Sequence, residues 1–90
     1  MNHELKIHPP PFAAIRSGEK RFEFRKDDRT PRFEVGDSLR LREWWPRFTH
    51  DPAGYYSGAE STVLVTHLIR GPSEYGIPAG YVCMSIEVVK

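Results

Sequence analysis

The sequence predicts a mainly β domain of the α+β class, with five to six mostly antiparallel strands and one short helix between the first two strands. Segments in which apolar and polar residues alternate recur along the chain, and this pattern is typical of half-buried strands. Short turns rich in Gly, Pro and Asp separate most of these segments, which favours antiparallel neighbours. In so short a chain we expect the sheet to curl into a small β-barrel, because closure removes exposed edges.

Composition indicates one folded domain over residues 1–90. The chain is 39% hydrophobic and 28% charged, which is close to the globular average, and its net charge is +1. Such a small net charge gives no global field that would attract nucleic acid, so an electrostatic partner has to be sought in local clusters. Cys83 has no second cysteine to pair with, and the four histidines show no metal-ligand spacing. We therefore expect no disulfide, no metal and no cofactor.

The chain shows no apolar run of the ~20 residues that a membrane-spanning helix needs, and its beginning lacks the apolar core of a signal peptide. We expect a cytoplasmic protein without a membrane partner. The first elements predicted are a strand at Glu4–His8 and a helix at Phe12–Ser17 that stops at Gly18, since three prolines precede the helix and glycine suits its left-handed end. Strands at Lys20–Lys26 and Ser38–Trp45 follow.

The second half of the chain is predicted to contain two strands and two loops. Residues 46–60 lose the alternating pattern and read as a flexible loop. Residues 61–70 are apolar on both faces, which is typical of a central strand. After a second loop at 71–78, residues 81–89 alternate again and close the chain as a strand.

The strand that starts near Lys20 carries most of the candidate ligand-binding groups. Phe22 and Phe24 alternate with Glu23 and Arg25, so we expect the two phenylalanines in the core and the charged side chains outside it or in a cleft. Alternation places Lys20 with the phenylalanines. For Lys20 to meet Glu23 and Arg25, the strand must begin after Lys20 or contain a bulge.

Each of these charged residues has a functional and a structural interpretation. Lys20 could neutralise a phosphate, orient a carbonyl group or act as a base if burial lowers its pKa, or it could be an exposed lysine at a strand end. Glu23 could accept hydrogen bonds from a base and Arg25 could present a planar fork to a phosphate, or the two could form a structural ion pair. Arg29 lies in a predicted turn and is either a ligand contact or a turn residue.

Glu43 and Trp44 add a carboxylate and an aromatic ring from a different strand. Glu43 falls on the same side of its strand as two leucines, so burial would raise its pKa unless a cation such as Lys20 or Arg25 is near. A buried, structurally paired Glu43 and a catalytic Glu43 both fit this pattern. Trp44 could stack on an unpaired base or could pack in the core.

Five motifs, in this order along the chain, resemble the ASCH domain of the PUA-like superfamily, and in particular a small ASCH-like family of unknown function. The resemblance covers nearly the whole chain. The motifs are Gly18-x-Lys20-x-x-Glu23-x-Arg25, Asp27-Asp28-Arg29, Val35-Gly36-Asp37-x-Leu39, Leu41-x-Glu43-Trp44 and Gly80-Tyr81-Val82.

The resemblance implies a PUA-like β-barrel with a cleft beside the helix and the charged strand, and a role in binding RNA or a nucleotide-like ligand. Some ASCH relatives are amidohydrolases that remove the acetyl group from acetylcytidine, and others are reported as nucleases. In the amidohydrolase pattern a threonine follows the lysine by three positions, and a helical insertion contributes a downstream glutamate. This chain has Glu23 at the threonine position and is too short in its second half to carry that helix.

The leading hypothesis is therefore an RNA- or nucleotide-binding module, and whether the chain is also an enzyme stays open. The ligand-binding candidates are Lys20, Glu23, Arg25, Arg29, Glu43 and Trp44. The first alternative is an amidohydrolase acting on an acylated nucleoside such as acetylcytidine, with Lys20, Glu23 and Glu43 as catalytic candidates. The second alternative is a protein-interaction domain that uses the loop at residues 46–60.

Overall fold

The computed structural model describes residues 1–46 and 54–89, and these residues form a mainly β fold with one helix between the first two strands. One five-stranded sheet, in the order β1-β3-β4-β5-β2, curls into a half-barrel whose edges are β1 and β2. This confirms the predicted number of strands and the position of the helix. The elements are β1 (Asn2–Ile7), α1 (Pro9–Ser17), β2 (Phe22–Lys26), β3 (Ser38–Trp45), β4 (Tyr55–Arg70) and β5 (Tyr81–Val88).

The sheet is mixed. Pairings β3–β4, β4–β5 and β2–β5 are antiparallel, as expected, but β1 pairs with β3 in parallel. The physical reason is that α1 carries the chain away from β1, so β2 joins the opposite edge of the sheet and β3 returns beside β1. The two edge strands therefore approach each other across an opening, which we call the seam between β1 and β2.

Helix α1 is held on the sheet by its apolar side chains. Prolines occupy its first turn and Gly18, at φ 85°, ends it in the left-handed conformation. Phe12 and Ile15 are both buried in the core, as the sequence predicts. A helix of nine residues is not stable alone in water, so this packing keeps it in place. Within the described residues, no helix has the length and apolar character needed to cross a membrane.

Strand β4 is longer than predicted. It begins at Tyr55, because Tyr55 and Tyr56 pair with Trp45 and Trp44 of β3, so the predicted loop does not extend over residues 55–60. Residues 47–53, which include Phe48 and about half of that loop, lie outside the described residues. The protein-interaction hypothesis depends on this loop.

Asp37 fastens β1 to the turn before β3. Its carboxylate accepts hydrogen bonds from His3 Nε2 at 2.8 Å and from the backbone N–H of Glu34 at 2.9 Å. Arg29 Nη1 lies 3.3 Å from His3 Nδ1, and since a guanidinium only donates, Nδ1 accepts and Nε2 carries the proton. Burial of Asp37 raises its pKa, but the hydrogen bonds from His3 and from the N-terminal amino group outweigh burial, so the pKa lies below its usual value.

Asp37→Asn should therefore change the acid sensitivity of the fold. A lowered pKa means that the folded chain binds this proton less readily than the unfolded chain does. The stabilisation is complete above the unfolded pKa of about 4 and is lost as the pH falls through the lowered folded pKa. We expect the variant to be less stable than the wild type by about 1–3 kcal/mol at pH 7, and the difference to shrink at pH 3. Urea unfolding at both pH values measures this, and a difference that is independent of pH would contradict it.

Candidate functional site

Strand β2 presents its faces the opposite way round from the prediction. Glu23 is only 2% exposed, whereas Phe22 and Phe24 are 48% and 44% exposed. The expectation that both phenylalanines pack in the core is wrong. Alternation separates the side chains of a strand into two sets, but it does not show which set faces inward. Here the inward-facing carboxylate of Glu23 is stabilised because two cations form ion pairs with it. The outward phenylalanines are partly covered, since Tyr81 stacks on Phe24.

Glu23 is held between two cations. Lys20 Nζ donates to Glu23 Oε1 at 3.0 Å, and Arg25 Nε donates to Glu23 Oε2 at 2.7 Å. Lys20 precedes β2, which begins at Phe22, so the alternation of the strand does not set the direction of its side chain. Lys20 can therefore lie on the same side as Glu23 and Arg25. The turn after α1 positions Lys20, whose backbone N–H donates to the carbonyl oxygen of Ala14 at 3.0 Å. The sequence-predicted trio is thus brought together as one cluster.

Arg25 also bridges the seam. Its Nη2 donates to the carbonyl oxygen of Lys6 at 2.9 Å, so a side chain of one edge strand binds the backbone of the other. The same guanidinium holds Glu23 through Nε. These two contacts fix the plane of the guanidinium, and a fixed fork loses less entropy than a free one when it binds an anion.

A cleft of about 550 Å³ opens at the seam beside this cluster. Its volume lies in the range usual for small-ligand sites. We call it the charged cleft, since three cationic side chains and one carboxylate line it, in addition to a tryptophan and a histidine. These lining residues are Lys6, Lys20, Arg25, Glu23, Trp44 and His8. The charged cleft therefore carries an excess of positive charge, although the net charge of the chain is only +1.

Trp44 and Phe24 are aromatic residues that line the charged cleft, and Trp44 has further aromatic and cationic neighbours. Lys6 Nζ lies 5.0 Å from the centroid of the indole, and the His8 ring is centred 5.8 Å from it. Neither Lys6 nor His8 is among the ligand candidates that the sequence predicts. The available signal is that both alternate with the buried residues Leu5 and Ile7, although His8 itself follows the end of β1 and is the N-cap residue of α1. Their meeting with Trp44 depends on the parallel pairing of β1 with β3.

Gly54 fixes the position of Trp44. A methyl group at Gly54 would overlap the Nε1 to Cζ2 side of the indole, and φ at Gly54 is +40°. Gly54→Ala should therefore displace Trp44. Gly58→Ala is a matched control, because Gly58 has φ +94° but open space around it. We expect Gly54→Ala to be less stable than Gly58→Ala by about 1–3 kcal/mol and to change the near-ultraviolet circular dichroism of the tryptophans. Equal stabilities and unchanged spectra would contradict this packing.

Glu43 and Arg29 do not join the Glu23 cluster. Glu43 is half-buried and accepts a hydrogen bond from Trp45 Nε1 at 3.3 Å, so the structure gives it an indole partner and not one of the two candidate cations. Arg29 contacts His3 through Nη1, and its guanidinium lies 4.9 Å from the centroid of the Phe33 ring. Arg29 lines a neighbouring pocket that shares Arg25 with the charged cleft.

The charged cleft offers groups for polar recognition. Lys20 and Arg25 can neutralise an anion, and the Trp44 ring can stack on a planar group. The buried Glu23 carboxylate holds these two cations in place. In residues 1–46 and 54–89, no group of three or more His, Cys, Asp or Glu side chains is placed to hold a metal ion. The side chains that line the charged cleft can bind anions, form hydrogen bonds and transfer protons.

Comparison with known proteins gives one relative and one family. A stretch of 42 residues is 50% identical to an uncharacterized 12.9 kDa protein encoded in the GpA 3′ region of Escherichia phage P2. The aligned stretch is 47% of this chain and 37% of the phage protein, so the chain spans little more than a third of that relative's length. The model of the family described as "Domain of unknown function (DUF3850)" matches residues 2–86. The chain therefore belongs to the DUF3850 family.

Proposed function

We propose that this chain is a binding module for RNA or a nucleotide-like ligand, and that the ligand occupies the charged cleft. The observation that carries the proposal is the buried carboxylate of Glu23, which holds Lys20 and Arg25 at the mouth of a cleft that also contains Trp44. A nucleotide presents the complementary groups, namely a phosphate for the cations and a planar base for the indole.

The balance of charges favours an anionic ligand over a neutral one. Glu23 offsets only part of the positive charge contributed by Lys6, Lys20 and Arg25. Lys20 and Arg25 are about a quarter exposed, at 23% and 27% of their side-chain surface, so both remain accessible from the cleft.

The proposal includes an ASCH-like fold in the PUA-like superfamily and action in the cytoplasm. The features that support the fold are the half-barrel sheet, the short helix between the first two strands and the cleft beside that helix. The ligand candidates of this proposal are Lys20, Glu23, Arg25 and Trp44, which share one cleft.

Removal of Lys20 tests the electrostatic part. We expect Lys20→Ala to weaken binding of a fluorescein-labelled tetra-adenylate RNA at least fivefold and to reduce the slope of log K against log salt by about 0.7, the value for one phosphate contact on a single strand. The matched control is Arg16→Ala, which removes an exposed cation of α1 that contacts Phe12. Anisotropy titrations at several salt concentrations measure both. Equal losses in the two variants, or no salt dependence in the wild type, would contradict the proposal.

Amide hydrolysis on an acylated nucleoside is the second candidate function. The observation in its favour is the contact of 3.0 Å between Lys20 Nζ and the buried Glu23 carboxylate at the cleft. Water would add to the acyl carbon as Glu23 takes its proton, and Lys20 would donate a proton to the departing amine. Incubation with acetylcytidine followed by chromatography tests this. Cytidine release no greater than that of Lys20→Ala would eliminate it.

A further inference from the structure

A second pocket adjoins the charged cleft on the far side of Arg25. It measures about 440 Å³ and shares Phe24 and Arg25 with the charged cleft, so the two pockets are neighbours with Arg25 between them. We call it the Arg29 pocket. Its charged and stacked aromatic lining residues are Phe24, Arg25, Lys26, Asp28, Arg29 and Tyr81.

The Arg29 pocket repeats the chemistry of the charged cleft. Three cations and one carboxylate line it, so it too carries an excess of positive charge. Its aromatic part is the pair formed by Phe24 and Tyr81, whose rings are stacked with centroids 5.4 Å apart and planes 12° apart. Phe24 is 44% exposed, so this pair can offer a face to a planar group from solvent. An exposed aromatic surface beside cations is the combination that binds single-stranded nucleic acid.

Arg29 is held in place before any ligand arrives. Nη1 contacts His3 Nδ1 at 3.3 Å, and the guanidinium lies over the Phe33 ring. Both partners are buried, at 5% and 1% exposure. Fixing a long side chain in this way reduces the entropy that would be lost on binding. This pre-organisation gives Arg29 a role that a freely rotating turn residue would not have.

We propose, on the basis of the proposed function, that the ligand is an oligonucleotide of at least two nucleotides that lies along the seam. One base stacks at Trp44 in the charged cleft, and the next lies against Phe24 and Tyr81 in the Arg29 pocket. The phosphodiester between them contacts Arg25, which lines both pockets. Its contacts with Glu23 and Lys6 use Nε and Nη2, and the guanidinium has further N–H groups for a phosphate.

A ligand series separates the two pockets. The probes are adenosine 5′-phosphate (pA), adenosine 3′,5′-bisphosphate (pAp) and the dinucleotide pApA, with affinities measured by calorimetry. The bisphosphate supplies the second phosphate without a second base, so it controls for charge. We expect pAp to bind more tightly than pA, and pApA to bind at least tenfold more tightly than pAp, because only pApA places a base in the Arg29 pocket.

Variants then assign the gain to the Arg29 pocket. Tyr81→Ala and Arg29→Ala should each reduce the ratio of pApA affinity to pAp affinity at least fivefold. The control is Tyr75→Ala, which removes a tyrosine that is 75% exposed and does not line the Arg29 pocket, and it should leave that ratio unchanged. Equal affinities for pA, pAp and pApA in the wild type would overturn the inference and leave the proposed function standing. If the wild type binds neither pA, pAp nor pApA, both the inference and the proposed function are overturned. The wild-type series distinguishes these outcomes even if a variant fails to fold.

Discussion

Replacing Glu23 with alanine is expected to lower the free energy of unfolding by about 2–4 kcal/mol and to abolish nucleotide binding. The carboxylate is 2% exposed and accepts charge-assisted hydrogen bonds from Lys20 and Arg25. Its removal leaves two cations close together without a counter-charge, and breaking a buried ion pair in this way usually costs about 3–5 kcal/mol. The expected value is lower here because both cations are partly exposed to water. Urea unfolding and anisotropy titration measure the two effects.

Glu4→Ala is the matched control for this change. Glu4 also bridges two cations, Arg40 and Arg42, but its side chain is 49% exposed. Exposed ion pairs contribute about 0–1 kcal/mol, so this variant should stay within about 1 kcal/mol of the wild type and bind RNA normally. A Glu23→Ala variant that is as stable as Glu4→Ala would show that the Glu23 cluster does not organise the seam.

Replacing Phe33 with alanine should have the largest effect on stability, a loss of about 3–5 kcal/mol. Phe33 is 1% exposed and packs against His3, with ring centroids 4.7 Å apart. The same ring supports Arg29, so the variant should also lose the preference for pApA over pAp. Thermal unfolding and calorimetry at a temperature where the variant is folded measure these effects. Phe33→Leu keeps most of the buried volume, and we expect it to be destabilised by less than half as much.

A Phe33→Ala variant whose free energy of unfolding lies within about 1 kcal/mol of the wild-type value would contradict this prediction, since it would mean that the ring is not part of the core. A variant that is destabilised but keeps the full pApA preference would contradict only the link to Arg29. These two results are distinguishable because stability and ligand preference are measured separately.

Local patterns predicted the positions of most elements. Strand β3 was predicted with its observed bounds, Ser38–Trp45, because its alternation is regular and turns flank it. Gly18 ends α1 as expected. Burial of Leu39 and Leu41 follows from the same alternation. In each of these cases the decisive interactions lie within a few residues of one another in the chain, which is the range that periodicity and turn chemistry report.

Long-range pairing decided what the sequence left open. Nothing local to β1 shows that its neighbour is β3, yet this parallel pairing brings Lys6 and His8 to Trp44. The inward orientation of Glu23 depends on Arg25 and on Lys20, which lies outside the strand. The Lys20, Glu23 and Arg25 cluster could be predicted as a set from its density of charge.

The two tryptophans provide the most direct test of whether a nucleic-acid ligand lies along the seam between β1 and β2. Trp44 lines the charged cleft, whereas the neighbouring Trp45 is 43% exposed and donates its indole N–H to Glu43. We predict that a titration of ¹⁵N-labelled protein with pApA, followed by NMR, will shift the indole N–H signal of Trp44 and the backbone signals of Lys6, Lys20 and Arg25, and leave the Trp45 indole in place. Saturable shifts confined to residues away from the seam, with an unchanged Trp44 indole, would contradict this placement of the ligand.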